Sequence, residues 1–225
     1  VEFIGVSGGL PGSAVSASGF TSTMAANGVP TQFSWGDNLA WESDFRSSDA
    51  VYVDDVDMTF YTGHAGRDGW STSPTQGDGF VSAGEARLGD RDLEWLGIAA
   101  CGPLQGIQTG DLSRWLSTFD GLHQLLGYAT VTYDNTIEGP RLASYLHGST
   151  GGIFGIGARP PYKVWQAWAQ MAIDAQGPSE VWGSMGVTGP GWTADVNEFF
   201  WGRGPTGPDI RAAQRTGWWW IWGTA

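Results

Sequence analysis

Short apolar runs that end in glycine recur along the chain and predict buried β-strands. The two clearest are residues 56–62, which are rich in β-branched and aromatic side chains, and residues 93–100. Each is followed by a turn of small residues. Weaker strands of the same kind are predicted at 1–6, 32–35, 80–82, 128–133, 181–187 and 217–222.

Helical spacing separates several of these runs. Over residues 112–126 apolar side chains recur at offsets of three and four, between an N-cap at Asp111 and a stop at Gly127. Residues 13–27, 138–147 and 161–176 predict three further helices.

Alternating strands and helices predict an α/β fold with a mostly parallel sheet that is flanked by helices on both faces. We expect one domain over residues 1–225. Its core lies within about residues 1–176, and residues 177–225 form a loop-rich, Trp-containing extension packed on that core.

The composition argues against nucleic acid and membranes as binding partners. The chain has 23 acidic and 11 basic residues, a net charge of -12, and therefore lacks the clustered cations that nucleic-acid binding requires. No apolar run approaches the roughly 20 residues that cross a bilayer, so no membrane span is predicted. One lysine beside 36 glycines and 14 tryptophans favours a secreted protein over a cytoplasmic one.

The only cysteine, Cys101, and one of three histidines, His64, follow the two clearest strands. In open parallel sheets, functional residues gather just beyond the carboxyl ends of strands, so this pair is expected to meet. A thiol attacks as its thiolate, and a neighbouring imidazole can remove the proton. Cys101 and His64 are therefore the candidate nucleophile and base.

Small residues surround the pair. Ala65, Gly66 and Gly102 leave room for a substrate and can direct backbone N–H groups at a developing oxyanion. The opposing interpretation is that Cys101 is a small core residue and that His64 is a turn residue.

Acidic and aromatic residues nearby are candidates for substrate binding: Trp35, Asp37 and Asp55. Carboxylates in the cleft would favour a basic side chain beside the scissile bond. These residues are also compatible with solvated loops. The three histidines lack the short spacing of a zinc site, so no metal and no cofactor are predicted. His123 and His147 lie on predicted helices, and His123 is expected to be a core or interface residue.

The C-terminal tryptophans alternate. In a strand, Trp218, Trp220 and Trp222 would share one face. That face would either stack on a sugar or aromatic ligand, or cover the sheet.

The residues around the pair resemble a known clan. The sequence Tyr61-Thr62-Gly63-His64 closes one strand, and a run that begins Asp92-Leu93-Glu94-Trp95-Leu96 ends in Ala100-Cys101. This layout is similar to that of the caspase, gingipain and legumain clan of cysteine peptidases, where a His-Gly pair closes one strand and an Ala-Cys pair closes the next. It also resembles an uncharacterised bacterial family with the same two motifs.

The resemblance covers roughly residues 1–150 and implies a caspase-hemoglobinase-like fold. It makes His64 the general base and Cys101 the nucleophile, with backbone N–H groups of Cys101 and of Ala65 or Gly66 holding the oxyanion. The chain departs from the clan in having Ala65 where glycine usually follows the histidine.

Three functions follow as hypotheses. The first is a cysteine-dependent hydrolase or acyl transferase, most simply a peptidase acting on a peptide substrate. The second is a natural-product tailoring enzyme with a small apolar or aromatic substrate in a Trp-lined pocket. The third is a non-catalytic ligand-binding domain in which Cys101 is inert.

Overall fold

A mixed β-sheet forms the centre of the computed structural model, which describes residues 1–150 and 157–225. The strands in these ranges are β1 (Glu2–Phe3), β2 (Trp35–Gly36), β3 (Met58–Thr62), β4 (Ala65–Gly66), β5 (Gly69–Ser71), β6 (Phe80–Ser82), β7 (Trp95–Ala99), β8 (Gln124–Tyr128), β9 (Val181–Thr188) and β10 (Gly217–Thr224). Within the described residues, seven of them form the main sheet in the order β10-β9-β8-β7-β3-β1-β2, and β4-β5-β6 form a small antiparallel sheet.

The main sheet is mostly parallel, as predicted. Strands β2, β1, β3, β7 and β8 run in one direction, and β9 and β10 run antiparallel to their neighbours. At its centre β3 pairs with β7, with Met58 opposite Trp95 and Thr62 opposite Ala99. The two best-predicted strands are therefore direct neighbours.

The α-helices of the described residues cover one face of this sheet. They are α1 (Pro11–Ala26), α2 (Glu138–His147) and α3 (Val164–Ala175). Their apolar side chains pack in one cluster with Phe60, Trp95 and Leu126 of the sheet. Helices are confirmed close to three of the four predicted positions.

The prediction of helices on both faces is wrong for the described residues. The opposite face, which carries Tyr61, Leu96 and Ile98, packs against Trp70 of the small sheet and Trp115 of a 3-10 turn. Glycine-rich excursions between β3 and β8 provide enough apolar side chains to bury this face without a regular helix.

The predicted helix at 112–126 is also wrong. Only Ser113–Thr118 is helical, as a 3-10 segment, and β8 follows it, so the strand predicted at 128–133 lies earlier in the chain. Gly121 explains the break: its φ is 125°, and an added Cβ would lie 1.8 Å from the Gly89 carbonyl oxygen. The last two apolar side chains of this pattern, Leu125 and Leu126, belong to β8 and face opposite sides of the sheet.

The C-terminal part is more regular than predicted. Strand β9 lies inside the sheet between β8 and β10, not at an edge, and β10 is the edge strand. The predicted alternation is confirmed, because Trp218, Trp220 and Trp222 share one partly exposed face of β10 (40%, 40% and 44% exposed). No helix in the described part of the chain combines the length and apolarity needed to span a membrane.

His147, the last residue of α2, is buried. Its Nε2 lies 3.2 Å from the sulfur of Met24, and Arg203 donates a hydrogen bond to its Nδ1 at 2.9 Å. Burial, together with the charge of Arg203, lowers the pKa of His147 from 6.5 to about 4. Between these two pH values the unfolded chain binds a proton that the folded chain does not, so the free energy of unfolding decreases as the pH falls through this window.

We expect the variant His147→Asn, whose side-chain oxygen can still accept the Arg203 hydrogen bond, to lose this contribution to the pH dependence. Urea unfolding at a series of pH values would measure it. The wild-type free energy of unfolding should fall more steeply than that of the variant as the pH is lowered from about 6.5 towards about 4. Parallel curves would contradict the assignment.

Candidate functional site

The pairing of β3 with β7 brings His64 and Cys101 to the same edge of the sheet. His64 follows the last residue of β3 by two positions, and Cys101 follows the last residue of β7 by two positions. Those last residues, Thr62 and Ala99, lie opposite each other. Both functional side chains line one cleft of about 150 Å³, with His64 exposed and Cys101 half-buried.

A backbone carbonyl orients the imidazole. His64 Nε2 lies 2.8 Å from the carbonyl oxygen of Gly8. Because a carbonyl oxygen only accepts, Nε2 carries the proton and donates it, and the lone pair of the neutral ring is on Nδ1. Among the described residues Nδ1 makes no hydrogen bond, so this nitrogen is available as a base.

Close packing beneath the ring explains the glycine at position 8. A Cβ there would lie 2.7 Å from Ile4 Cγ2 and 3.2 Å from His64 Cδ2. The imidazole therefore rests directly on the backbone of the 5–8 loop.

Asp37 holds that loop in place. Its Oδ1 accepts hydrogen bonds from the N–H of Gly5 at 3.0 Å, the N–H of Ser7 at 2.9 Å and the hydroxyl of Ser7 at 2.7 Å. Partial burial alone would raise the pKa of Asp37, but these hydrogen bonds lower it below its ordinary value. Asp37 thus supports His64 through the loop and is not one of the residues that line the clefts beside Cys101.

The thiol of Cys101 is held by the segment after β8. The N–H of Thr132 donates to Sγ at 3.3 Å, and Sγ lies 3.6 Å from the Thr132 carbonyl oxygen. Within the described residues no hydrogen bond joins Cys101 to His64. The sulfur is nevertheless open to the cleft that the imidazole lines, not enclosed in the core.

A second and larger cleft, of about 630 Å³, is also lined by Cys101. It is lined by the three predicted oxyanion residues, Ala65, Gly66 and Gly102. The N–H of Gly102 donates to the Thr130 carbonyl oxygen at 2.9 Å, so it is not offered to an oxyanion. Glycine is favoured at position 102 because its φ is +68°, in the left-handed region that residues with a side chain rarely adopt.

Glu180 lines the same cleft and was missed by the sequence analysis. Its side chain is 5% exposed, and its Oε2 has no hydrogen-bond partner among the described residues. Glu180 directly precedes β9, and because β9 is antiparallel to β8, its first residues lie at the edge where the parallel strands end. Only the direction of β9, which the sequence pattern does not encode, brings this carboxylate to Cys101.

The structure does not bring Trp35 and Asp55 to either cleft. Trp35 packs edge-on against the ring of Tyr52, with the centroids 6.1 Å apart. Asp55 lies before the start of β3, at the opposite edge of the sheet from Cys101, and pairs with Arg91 at 3.3 Å.

Removing the Asp37 carboxylate should loosen the loop that supports His64. We expect Asp37→Ala to lower the free energy of unfolding by about 2 kcal/mol, because three hydrogen bonds to one oxygen are lost and because alanine is strained at the φ of 52° found here. Asp37→Asn, which keeps the acceptor and tolerates that φ, is the matched control. Urea denaturation measures both, and equal stabilities of the two variants would contradict the role.

Comparison with known proteins places the chain in a family. No curated protein matches it, and no solved structure matches it. A model of the family described as a domain of unknown function (DUF6345) matches residues 1–223, and the chain therefore belongs to the DUF6345 family.

Proposed function

We propose that the protein is a cysteine-dependent hydrolase, most simply a peptidase with a caspase-like fold, in which Cys101 is the nucleophile and His64 the general base. One observation carries the proposal. The two side chains follow adjacent parallel strands by the same two-residue offset and line a common cleft. The reaction needs no cofactor, because a thiolate and a proton carrier suffice for acyl transfer.

The proposed reaction uses the orientation of the imidazole. His64 Nδ1 takes the thiol proton, and the sulfur of Cys101 attacks the carbonyl carbon of the peptide bond. His64 then gives its proton to the departing amine, which leaves a thioester on Cys101. A water molecule that gives a proton to His64 hydrolyses the thioester, which releases the acid and returns the proton to the thiol.

The thiol and the imidazole have to approach each other for this reaction. In the free protein Cys101 is held by Thr132 and His64 by Gly8, and catalytic hydrogen bonds often tighten only in the substrate complex. Because the Gly102 N–H is already bonded, the oxyanion donors of the proposal are the N–H groups of Cys101 and of Ala65 or Gly66.

We also propose that the substrate carries a basic side chain next to the scissile bond. Glu180 lines the larger cleft beside Cys101, and its Oε2 is buried and lacks a partner among the described residues. A buried carboxylate oxygen without a hydrogen bond is costly, and a lysine or arginine side chain of a substrate would supply the missing donor.

The other two functions find less support. Trp218, Trp220 and Trp222 lie on a partly exposed face of β10 and do not line the clefts beside Cys101, which weakens the proposal of a Trp-lined pocket. A non-catalytic domain with an inert core cysteine fits poorly with a thiol that opens onto two clefts.

The pair itself is tested by alkylation and by turnover. We expect iodoacetamide to label Cys101 in the folded protein at neutral pH, and His64→Gln to slow the labelling about tenfold or more, because the proton acceptor is lost. Cys101→Ala and His64→Gln should both abolish cleavage of fluorogenic peptides.

His147→Asn, a histidine substitution remote from the cleft, is the matched control and should label and cleave like the wild type. A folded protein whose thiol resists alkylation, or undiminished turnover in both site variants, would remove the pair from the mechanism.

Glu180 is tested through substrate preference. We expect Glu180→Gln to lower kcat/KM for peptides with arginine or lysine before the scissile bond by about tenfold, because a hydrogen bond between charged groups contributes roughly 1.5–3 kcal/mol. Peptides with a neutral residue there should be cleaved at the wild-type rate. Glu85→Gln, at an exposed position, is the control, and an equal loss for basic and neutral peptides would contradict the assigned preference.

A further inference from the structure

A cluster of buried polar side chains lies at the amino edge of the main sheet, opposite to Cys101. His123 directly precedes β8, and Asp195 and Glu198 belong to the segment between β9 and β10. The three residues are 1%, 3% and 3% exposed. One potential ligand atom from each lies within 4.8 Å of the others.

Glu198 is fully occupied by hydrogen bonds. Its Oε1 accepts from the indole N–H of Trp95 at 2.5 Å and from Gln124 Nε2 at 3.2 Å. Its Oε2 accepts from His123 Nδ1 at 2.9 Å and from the N–H of Gly207 at 3.2 Å. Four hydrogen bonds use the accepting capacity of a carboxylate, so Glu198 positions its neighbours.

The hydrogen bond to Glu198 fixes the orientation of the His123 ring and which of its nitrogens carries the proton. Because Nδ1 donates to the carboxylate, a neutral ring has its lone pair on Nε2. This nitrogen is buried and has no hydrogen-bond partner among the residues that the structure describes, where Asp209 Oδ1 lies 3.4 Å away in an ion-pair geometry. A carboxylate that holds one nitrogen of a histidine while the other stays free is the arrangement found behind metal-bound histidines.

Asp195 is the second buried residue of the cluster with polar atoms that lack a hydrogen-bond partner among the described residues. Both of its carboxylate oxygens are buried and lack a hydrogen-bond partner in the described part of the chain. No arginine or lysine of that part forms an ion pair with it. The backbone at Gly207 packs so closely that a Cβ would lie 1.9 Å from Asp195 Oδ1, which confines the carboxylate. A buried carboxylate without a hydrogen-bond donor is destabilising, and a bound cation would stabilise it.

We propose that His123 Nε2, Asp195 and Asp209 bind a divalent cation of the zinc class, with Glu198 as the residue that positions His123. Two ligands of a tetrahedral zinc ion with bonds of about 2.0–2.1 Å are about 3.3 Å apart, close to the 3.4 Å between His123 Nε2 and Asp209 Oδ1. The Asp195 carboxylate has a potential ligand atom within 4.8 Å of His123 and moves closer when the cation binds. A nitrogen donor beside carboxylates suits zinc better than calcium or magnesium, which prefer oxygen ligands alone.

The site is independent of the proposed hydrolase. It would fasten the segment between β9 and β10 to the start of β8, so its role is structural. Asp209 is 41% exposed on its side chain and provides the route by which a cation enters. Its second oxygen pairs with Arg211 at 3.0 Å, which leaves Oδ1 for the metal.

The test uses untagged full-length protein that has been stripped with EDTA. After incubation with Zn²⁺ and desalting, elemental analysis should find about one zinc per chain, and Zn²⁺ alone should raise the Tm, since a ligand that binds only the folded state stabilises it. Ca²⁺ at the same concentration should leave the Tm unchanged.

Two variants separate binding from folding. Asp209→Asn, at a partly exposed position, should fold and bind zinc with a Kd at least about tenfold higher, and Glu198→Gln should weaken binding about 10–100-fold through the loss of its hold on His123. The control Asp55→Asn, and Cys101→Ser, which removes the only thiol, should bind zinc like the wild type. Protein that takes up no zinc, an unchanged Kd in Asp209→Asn, or loss of zinc binding in Cys101→Ser would each overturn the proposal.

Discussion

The parallel pairing of β3 with β7 is the constraint on which the rest of the structure depends. Both strands are fully buried, and their five paired residues fix which residues come next to each other at the carboxyl edge. A shift of one residue in this register would exchange the two faces of either strand. It would also separate His64 from Cys101 along the edge. The apolar faces that lock the register therefore also set the geometry of the candidate site.

The two edges of the sheet have different physical characters. At the carboxyl edge small residues leave open clefts around Cys101, and Glu180 is among the residues that line the larger one. At the amino edge the polar side chains of His123 and Glu198 are buried in a closed network. Strand β9 connects the two, because it is antiparallel to β8: it begins beside Cys101 and ends near His123. One reversed strand thus supplies residues to both places.

Support from neighbouring elements, more than any single contact, orients His64. The imidazole donates to the Gly8 carbonyl, and Asp37 holds the loop that carries Gly8. In the sequence Asp37 comes after α1, 32 residues after Gly5 and 30 residues after Ser7. The position of the candidate base therefore depends on a carboxylate that touches neither the thiol nor the cleft.

The sequence by itself determined the parts of the fold in which local pattern and burial agree. The apolar runs around β3 and β7, the proline- and glycine-bounded α3 and the alternating tryptophans of β10 all form as predicted, because each pattern matches the period of its element. The glycine turns after β3 and β7 also placed His64 and Cys101 at strand ends. Their approach within one cleft follows from the parallel direction of the strands.

Only the tertiary structure decided the rest. The apolar spacing of residues 112–126 is compatible with a helix, and it is the contact between Gly121 and Gly89, distant in sequence, that excludes one. The direction of β9 brought Glu180 to the candidate site and placed Asp195 near His123, although no short spacing joins these residues. Local sequence patterns indicate which side chains are buried. Which distant residues come into contact depends on the order and direction of the strands, and these arise from the packing of the whole sheet.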